Sequence, residues 1–212
     1  MGPPSPESAA EFLPEDRDLE SLRAAADGCR GCPLYENATQ TVFGSGRENA
    51  ELMLVGEQPG DREDREGEPF VGPAGGVLDR ALEQAGIQRG DAYLTNAVKH
   101  FKWRPRGKRR LHATSRVGEV LACRPWLEAE VEAVAPRAVV AMGATAARAV
   151  FGPKVKVMKD RGRLLETPFA PIASVTIHPS AVLRVQERAE REDALAALVA
   201  DLAAVSDALA TR

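Results

Sequence analysis

The segment Lys108-Arg109-Arg110-Leu111-His112 sets an imidazole at the end of a dense run of cations. Seven of the twelve residues from Lys99 to Arg110 are Lys or Arg, although the whole chain carries a formal charge of -3. Such concentration against an acidic background points to a polyanion, because Lys and Arg that neutralise phosphates supply most sequence-independent nucleic-acid affinity. Phe101 and Trp103, interleaved in the run, add faces on which bases can stack. Taken alone, a basic run is also what a solvated loop looks like. Neutral imidazole is a nucleophile near neutral pH, so His112 is a candidate for covalent as well as proton-transfer chemistry. Further polar groups stand at turn-forming sequences: Gly56-Glu57-Gln58-Pro59-Gly60-Asp61, Phe70 within Glu68-Pro69-Phe70-Val71-Gly72-Pro73-Ala74-Gly75-Gly76, Asn96, and His178-Pro179-Ser180. Cys29-Arg30-Gly31-Cys32 has a spacing suited to metal ligation or redox work.

The elements that must position these groups alternate along the chain. Leu52–Val55 runs into Gly56, Ala92–Thr95 into Asn96, Ala138–Ala141 towards Gly143, and Ile172–Ile177 into His178. Short apolar runs bounded by turn chemistry are what strands buried on both faces of a parallel sheet look like. Helical patterns fall between them, at Ala74 to Ala85 with Gly86 as a stop, Arg116 to Ala135, Ala144 to Phe151, and a long Ala-rich terminal helix from Pro179 to Leu209. The order predicts a three-layer α/β/α fold with a central, mainly parallel four-stranded sheet and right-handed crossovers. In such folds ligands bind beyond the carboxyl ends of the strands, where the Glu57, Asn96 and His178 loops all lie.

With 212 residues, 44% of them hydrophobic, the chain can bury a core, and one domain over residues 15–212 is the expectation, with a disordered Pro-, Ser- and Glu-rich tail over 1–14. No apolar run reaches the roughly 18 to 20 residues of a membrane span, and the N-terminal residues lack the basic start and apolar core of a leader, which gives a cytoplasmic location as the expectation. Three cysteines cannot all pair, in keeping with a reducing compartment. No heptad or evident interface suggests more than a monomer.

The ordered set of a GE-x-PG turn, a PF-x-GPAG segment, a T-N strand end and a late HPS, with CxxC upstream, resembles the uracil-DNA glycosylase superfamily, and within it the family-four iron-sulfur enzymes. Gln58 in the first motif and the inserted KRR-x-H loop resemble the UdgX subgroup, which becomes covalently linked to uracil-containing DNA. Leu111 departs from that pattern, where isoleucine is usual. The resemblance implies a hydrolase that flips uracil out of DNA, single strands preferred, and breaks its N-glycosidic bond.

It further implies roles. Phe70 would lie against the uracil, and Asn96, with a donor and an acceptor, would read its edge. His178 would donate to O2 of the departing uracilate. Gln58 and Asp61 are further candidates around the base or sugar, while Lys108, Arg109, Arg110 and Ser180 would hold phosphates. Glu57 would orient water towards C1′ in a turnover enzyme, or steady the His112 imidazole if that ring attacks C1′ instead. In family-four enzymes a third cysteine follows the T-N strand end by four residues, where this chain has His100. The implied ligand set is therefore Cys29, Cys32, His100 and Cys123, around a four-iron four-sulfur cluster with a structural role. The residue types alone also admit a Cys3His zinc site. Two other readings stay open: a conventional turnover glycosylase, and a noncatalytic metal-containing module that binds single-stranded nucleic acid.

Overall fold

The structure is a computed structural model that describes residues 8–211. In chain order its elements are α1 (Leu19–Ala26), β1 (Leu52–Gly56), α2 (Asp61–Glu66), α3 (Pro73–Gln84), β2 (Ala92–Asn96), β3 (Trp103–Arg106), β4 (Arg109–His112), α4 (Val117–Val134), β5 (Ala138–Met142), α5 (Ala144–Phe151), α6 (Val157–Asp160), β6 (Ile172–Thr176), α7 (Pro179–Arg184) and α8 (Arg188–Ala210). The four apolar runs form one parallel sheet in the order β2-β1-β5-β6. Every residue of these strands is buried, which is why they read as unbroken apolar stretches rather than alternating ones.

The two faces nonetheless sort by alternation. Met53, Val55, Tyr93, Val139 and Val175 pack with residues of α1, α4 and α5, including Leu22, Trp126 and Ala147. Leu52, Leu54, Leu94, Val140 and Ile172 pack with Leu78 and Leu82 of α3, Val182 of α7 and Leu198 and Leu202 of α8. The result is the expected three-layer α/β/α arrangement. Among the described residues, no helix is long and apolar enough to cross a membrane.

The structure departs from the sequence reading in three places. The long terminal helix is two helices. Val185 is extended (φ -74°, ψ 123°), and the carbonyls freed at the break are bonded by Arg191, to Val185 O at 2.8 and 2.9 Å and to Gln186 O at 3.1 Å. No Gly or Pro marks that break, so the periodicity gave no warning.

The basic loop is a hairpin, β3 paired antiparallel with β4 in the register Trp103↔His112 and Arg106↔Arg109. Gly107 at φ +59° supplies the left-handed residue that a two-residue turn demands. Like charges facing across a strand pair oppose pairing, so something outside the hairpin must hold it.

The tail expected over 1–14 lies outside the described residues up to residue 7. Beyond it, Ala9–Phe12 is a short 3-10 helix capped by Ser8, with Ala9 buried in the core. Ala9, Phe12 and Leu13 pack against the core.

Candidate active site

The carboxyl ends of β1, β2, β5 and β6 open onto a cavity of about 970 Å³. Glu57 and Gln58 enter it from the β1 loop, Phe70 from the turn before α3, Asn96 from the end of β2, His112 from the end of β4, and His178 from the turn after β6. Five loops distant in sequence thus converge, and most of the expected site residues meet.

Gly56 makes the floor possible. A Cβ at that position would collide with Asn96 Oδ1 and the edge of the Phe70 ring, so the missing side chain lets the Asn96 amide and the Phe70 ring stand side by side. Phe70 is buried and sits at φ 57°, uncommon for a residue other than glycine, with its carbonyl held by Arg89 at 3.2 Å. Asn96 is also buried, yet its amide makes no hydrogen bond to any described residue. Its backbone is fixed instead. Asn96 O accepts from Lys99 Nζ at 2.8 Å, and the next two amides bond to Gly56 O and Glu57 O.

The protonation state of His178 is set by its neighbours. Nδ1 accepts the Ser180 backbone N–H at 3.1 Å and lies 2.8 Å from Ser180 Oγ, so the proton of the neutral ring is carried by Nε2. Burial pushes the imidazole down to about 4, and the nearby His112 and Arg184 add to that shift. At neutral pH the ring is therefore an uncharged N–H donor. The Phe70 and His178 rings lie 6.1 Å apart, tilted by 31°.

His112 lies at the cavity's outer wall, its ring 6.3 Å from that of Phe101. Desolvation holds its imidazole below the usual value, Glu57 pulls the other way, and Arg184 adds to the lowering. The ring is accordingly uncharged at neutral pH. Glu57 Oε1 accepts the Ser115 N–H at 3.1 Å, and its other oxygen has no protein partner among the described residues.

Several expected contacts are corrected by the geometry. Gln58 lines the cavity, but its amide is spent on the hairpin: Nε2 donates to Lys102 O (3.2 Å) and Ala113 O (3.1 Å), while Oε1 accepts from Lys102 N (3.3 Å) and Ser115 Oγ (2.7 Å). Arg110 does not point to solvent. It is ion-paired with Asp61 and Asp64, bonded to Thr39 Oγ1 at 3.0 Å, and stacked over Phe101 and Trp103. Asp61 lines the cavity and is ion-paired with Arg110 and with Arg65 at 3.2 Å. Ser180 Oγ is likewise engaged, with His178 and with Arg184 Nη1 at 3.0 Å.

The cationic run is therefore less open than its composition suggests. Lys99 is fully buried against Glu130, and Lys102 pairs with Glu119 at 2.8 Å. Arg104, Arg106, Lys108 and Arg109 remain exposed, with Lys108 and Arg109 at the hairpin tip outside the cavity lining. Leu183 and Arg184 of α7 line the cavity and were missed, because on a helix their spacing reads as an ordinary amphipathic pattern.

The three cysteines are buried with free thiols in one core cluster. Trp126 Nε1 donates to Cys29 Sγ at 3.2 Å and Lys99 N to Cys123 Sγ at 3.3 Å. Burial raises the Cys32 and Cys123 thiols, Cys123 to about 12, with Cys29 adding to both shifts and Cys32 to that of Cys123, so the three are close enough to couple electrostatically. His100 is buried too, its Nε2 3.0 Å from Thr41 Oγ1, with burial pushing it down to about 4. Among the described residues, no three His, Cys, Asp or Glu side chains converge as ligands of one metal ion. Three thiols and an imidazole are donors suited to a sulfur-ligated group, but among the described residues they are not assembled as a ligand set.

An α/β/α fold with a cavity at the carboxyl ends of its strands, lined by Phe70, Asn96, His112 and His178, belongs to the class of α/β proteins that bind ligands beyond their strand ends. Sequence comparison gives the family: residues 43–203 match the uracil DNA glycosylase superfamily, and the chain belongs to it. It is 40% identical over 167 residues to the Type-4 uracil-DNA glycosylase of Thermotoga maritima, covering 78% of this chain and 83% of that protein. It is 36% identical over 174 residues to the Type-4 uracil-DNA glycosylase of Pyrobaculum aerophilum, covering 79% and 85%.

Proposed function

We propose that the protein excises uracil from DNA and is left covalently joined to the resulting C1′ through His112. The observation that carries this reading is the shared cavity, in which a neutral His112, a half-free Glu57 carboxylate and the neutral N–H donor of His178 surround the place where Phe70 and Asn96 would hold a base. With uracil flipped in and stacked on Phe70, the Asn96 amide pairs with O4 and N3–H. As the bond between C1′ and N1 breaks, its electron pair goes to the uracil ring, and His178 Nε2–H supports the charge on O2. The unprotonated nitrogen of His112 then donates its lone pair to C1′. The imidazolium so formed loses its remaining N–H proton, with Glu57 the nearest base, and the uracilate leaves as uracil after gaining a proton. The new C–N bond has a poor leaving group, so the adduct persists.

Glu57 also supports a second reading. Its unpartnered oxygen can orient a water for attack on C1′, which would release a free abasic site and make the enzyme an ordinary turnover glycosylase. A labelled single strand carrying one uracil, with a thymine control, separates the two on a denaturing gel. Covalent capture predicts a slow, heat-stable band with uracil only, absent in His112→Ala. A strand that breaks only after alkali, with no such band, establishes turnover.

We further propose that Cys29, Cys32 and Cys123, with His100 as fourth ligand, hold a four-iron four-sulfur cluster. In a cluster each ligand binds a different iron, so the donors need not converge on one point, whereas a zinc ion would draw all four to about 2.0 to 2.3 Å. Such a group would tie the residues before β1 to the root of the hairpin. A visible absorption spectrum with iron, sulfide and zinc analysis tests it, and zinc without iron overturns it.

A further inference from the structure

The hairpin borders the cavity from the β2 edge of the sheet. On the opposite edge, α6 and the residues leading into it pack against β6, and there Val155 and Val157 turn inward while Lys154, Lys156, Met158 and Lys159 are exposed. Val157 lines the same cavity, beside Gly143 and Ala144. The ridge is therefore at the cavity's mouth.

Among the described residues, none of the three lysine ammoniums forms an ion pair, a state they share with the exposed Arg104, Arg106, Lys108 and Arg109 of the hairpin. The one acid in the segment, Asp160, is occupied in part by accepting the Lys156 backbone N–H at 2.8 Å. Arg161, next along, is tied inward to Asp201 and Ala197 O, which fixes the ridge to α8. Met158 is 79% exposed, more than any other large apolar side chain described, in the midst of these cations. Unpaired cations around an apolar tip match an unstacked nucleic-acid strand, which offers phosphates and base or sugar faces together.

We propose that the ridge from Lys154 to Lys159 is a second DNA-binding bank, holding the strand that crosses the cavity mouth on the side away from the hairpin. The inference rests on the reading that the cavity takes a base from DNA, but its test does not use uracil. The probe is a thymine-only single strand of about thirty nucleotides, bound by the wild type and by a Lys154→Ser/Lys156→Ser/Lys159→Ser variant across a salt series. Three lost phosphate contacts should lower the slope of log affinity against log salt by about 2, with affinity on the order of a hundredfold weaker near 0.1 M salt if the two lines meet near 1 M. The melting temperature of the variant should be unchanged, since the three ammoniums form no ion pair among the described residues. An unchanged slope overturns the proposal.

A second measurement uses the unaltered protein: acetylation of Lys154, Lys156 and Lys159 should fall several-fold when the same strand is bound, and equal labelling with and without it also overturns the proposal. Binding with the predicted slope by a protein that never releases uracil would sink the functional reading and leave this bank standing.

Discussion

His178 shows how a backbone contact can set a chemical role. Because Nδ1 is committed to the Ser180 amide, the ring can offer only Nε2–H to the cavity, and its low proton affinity keeps it neutral. Replacing it with Ala should slow uracil release about 10² to 10³-fold, the usual cost of losing one donor at a developing negative charge, as single-turnover kinetics will show. Burial also makes this residue a source of acid lability. The folded state holds the ring neutral down to about pH 4, while in the unfolded chain it binds a proton below about 6.5, so stability should fall as pH drops through that window, by up to about 1.4 kcal/mol per unit. Thermal melts from pH 7 to pH 4.5 should show a smaller decline in His178→Gln than in the wild type. Asn96→Ala should abolish excision with no loss of melting temperature, because the amide bonds to no described residue; a retained rate would remove it from base reading.

At the scale of elements, the hairpin is the part that most needs explanation. Its strands carry like charges and its tip is exposed, so its position depends on Arg110, gripped by Asp61 and Asp64, and on the four hydrogen bonds of Gln58 at its root. Gln58→Ala and Arg110→Ala should therefore slow adduct formation on the order of 10²-fold, the typical effect of a misplacement near 1 Å, while uracil release falls much less. Parallel loss of both activities would show that the clamp serves the pocket rather than the nucleophile. The four sheet strands were legible because short apolar runs end at Gly56, Asn96, Gly143 and His178, and the loops that bear Glu57, Phe70, Asn96 and His178 followed from topology. The hairpin was not legible, since repulsive charges hide a strand pair whose stabilising partners lie some 45 residues away.

Across the whole molecule, one buried network joins the layers. Lys99 Nζ bonds to Thr95 Oγ1 at 2.6 Å, to Asn96 O and to Glu130, and Glu130 Oε1 accepts from Gly44 N at 2.9 Å and Tyr93 OH at 3.1 Å. Composition placed Lys99 in the polyanion-binding run; only the packed fold shows it as an internal strut between β2 and α4. Glu130→Ala, which strands a buried ammonium, should cost about 3 to 5 kcal/mol and be visible as a large drop in melting temperature. The clamp on the hairpin carries a different lesson, about inheritance and engineering. Gln58, Asp61 and Asp64 precede the segment they secure by almost a quarter of the chain, so the unit that bears His112 is discontinuous. Transplanting residues 103–112 alone into another scaffold would carry over the histidine without the parts that aim it.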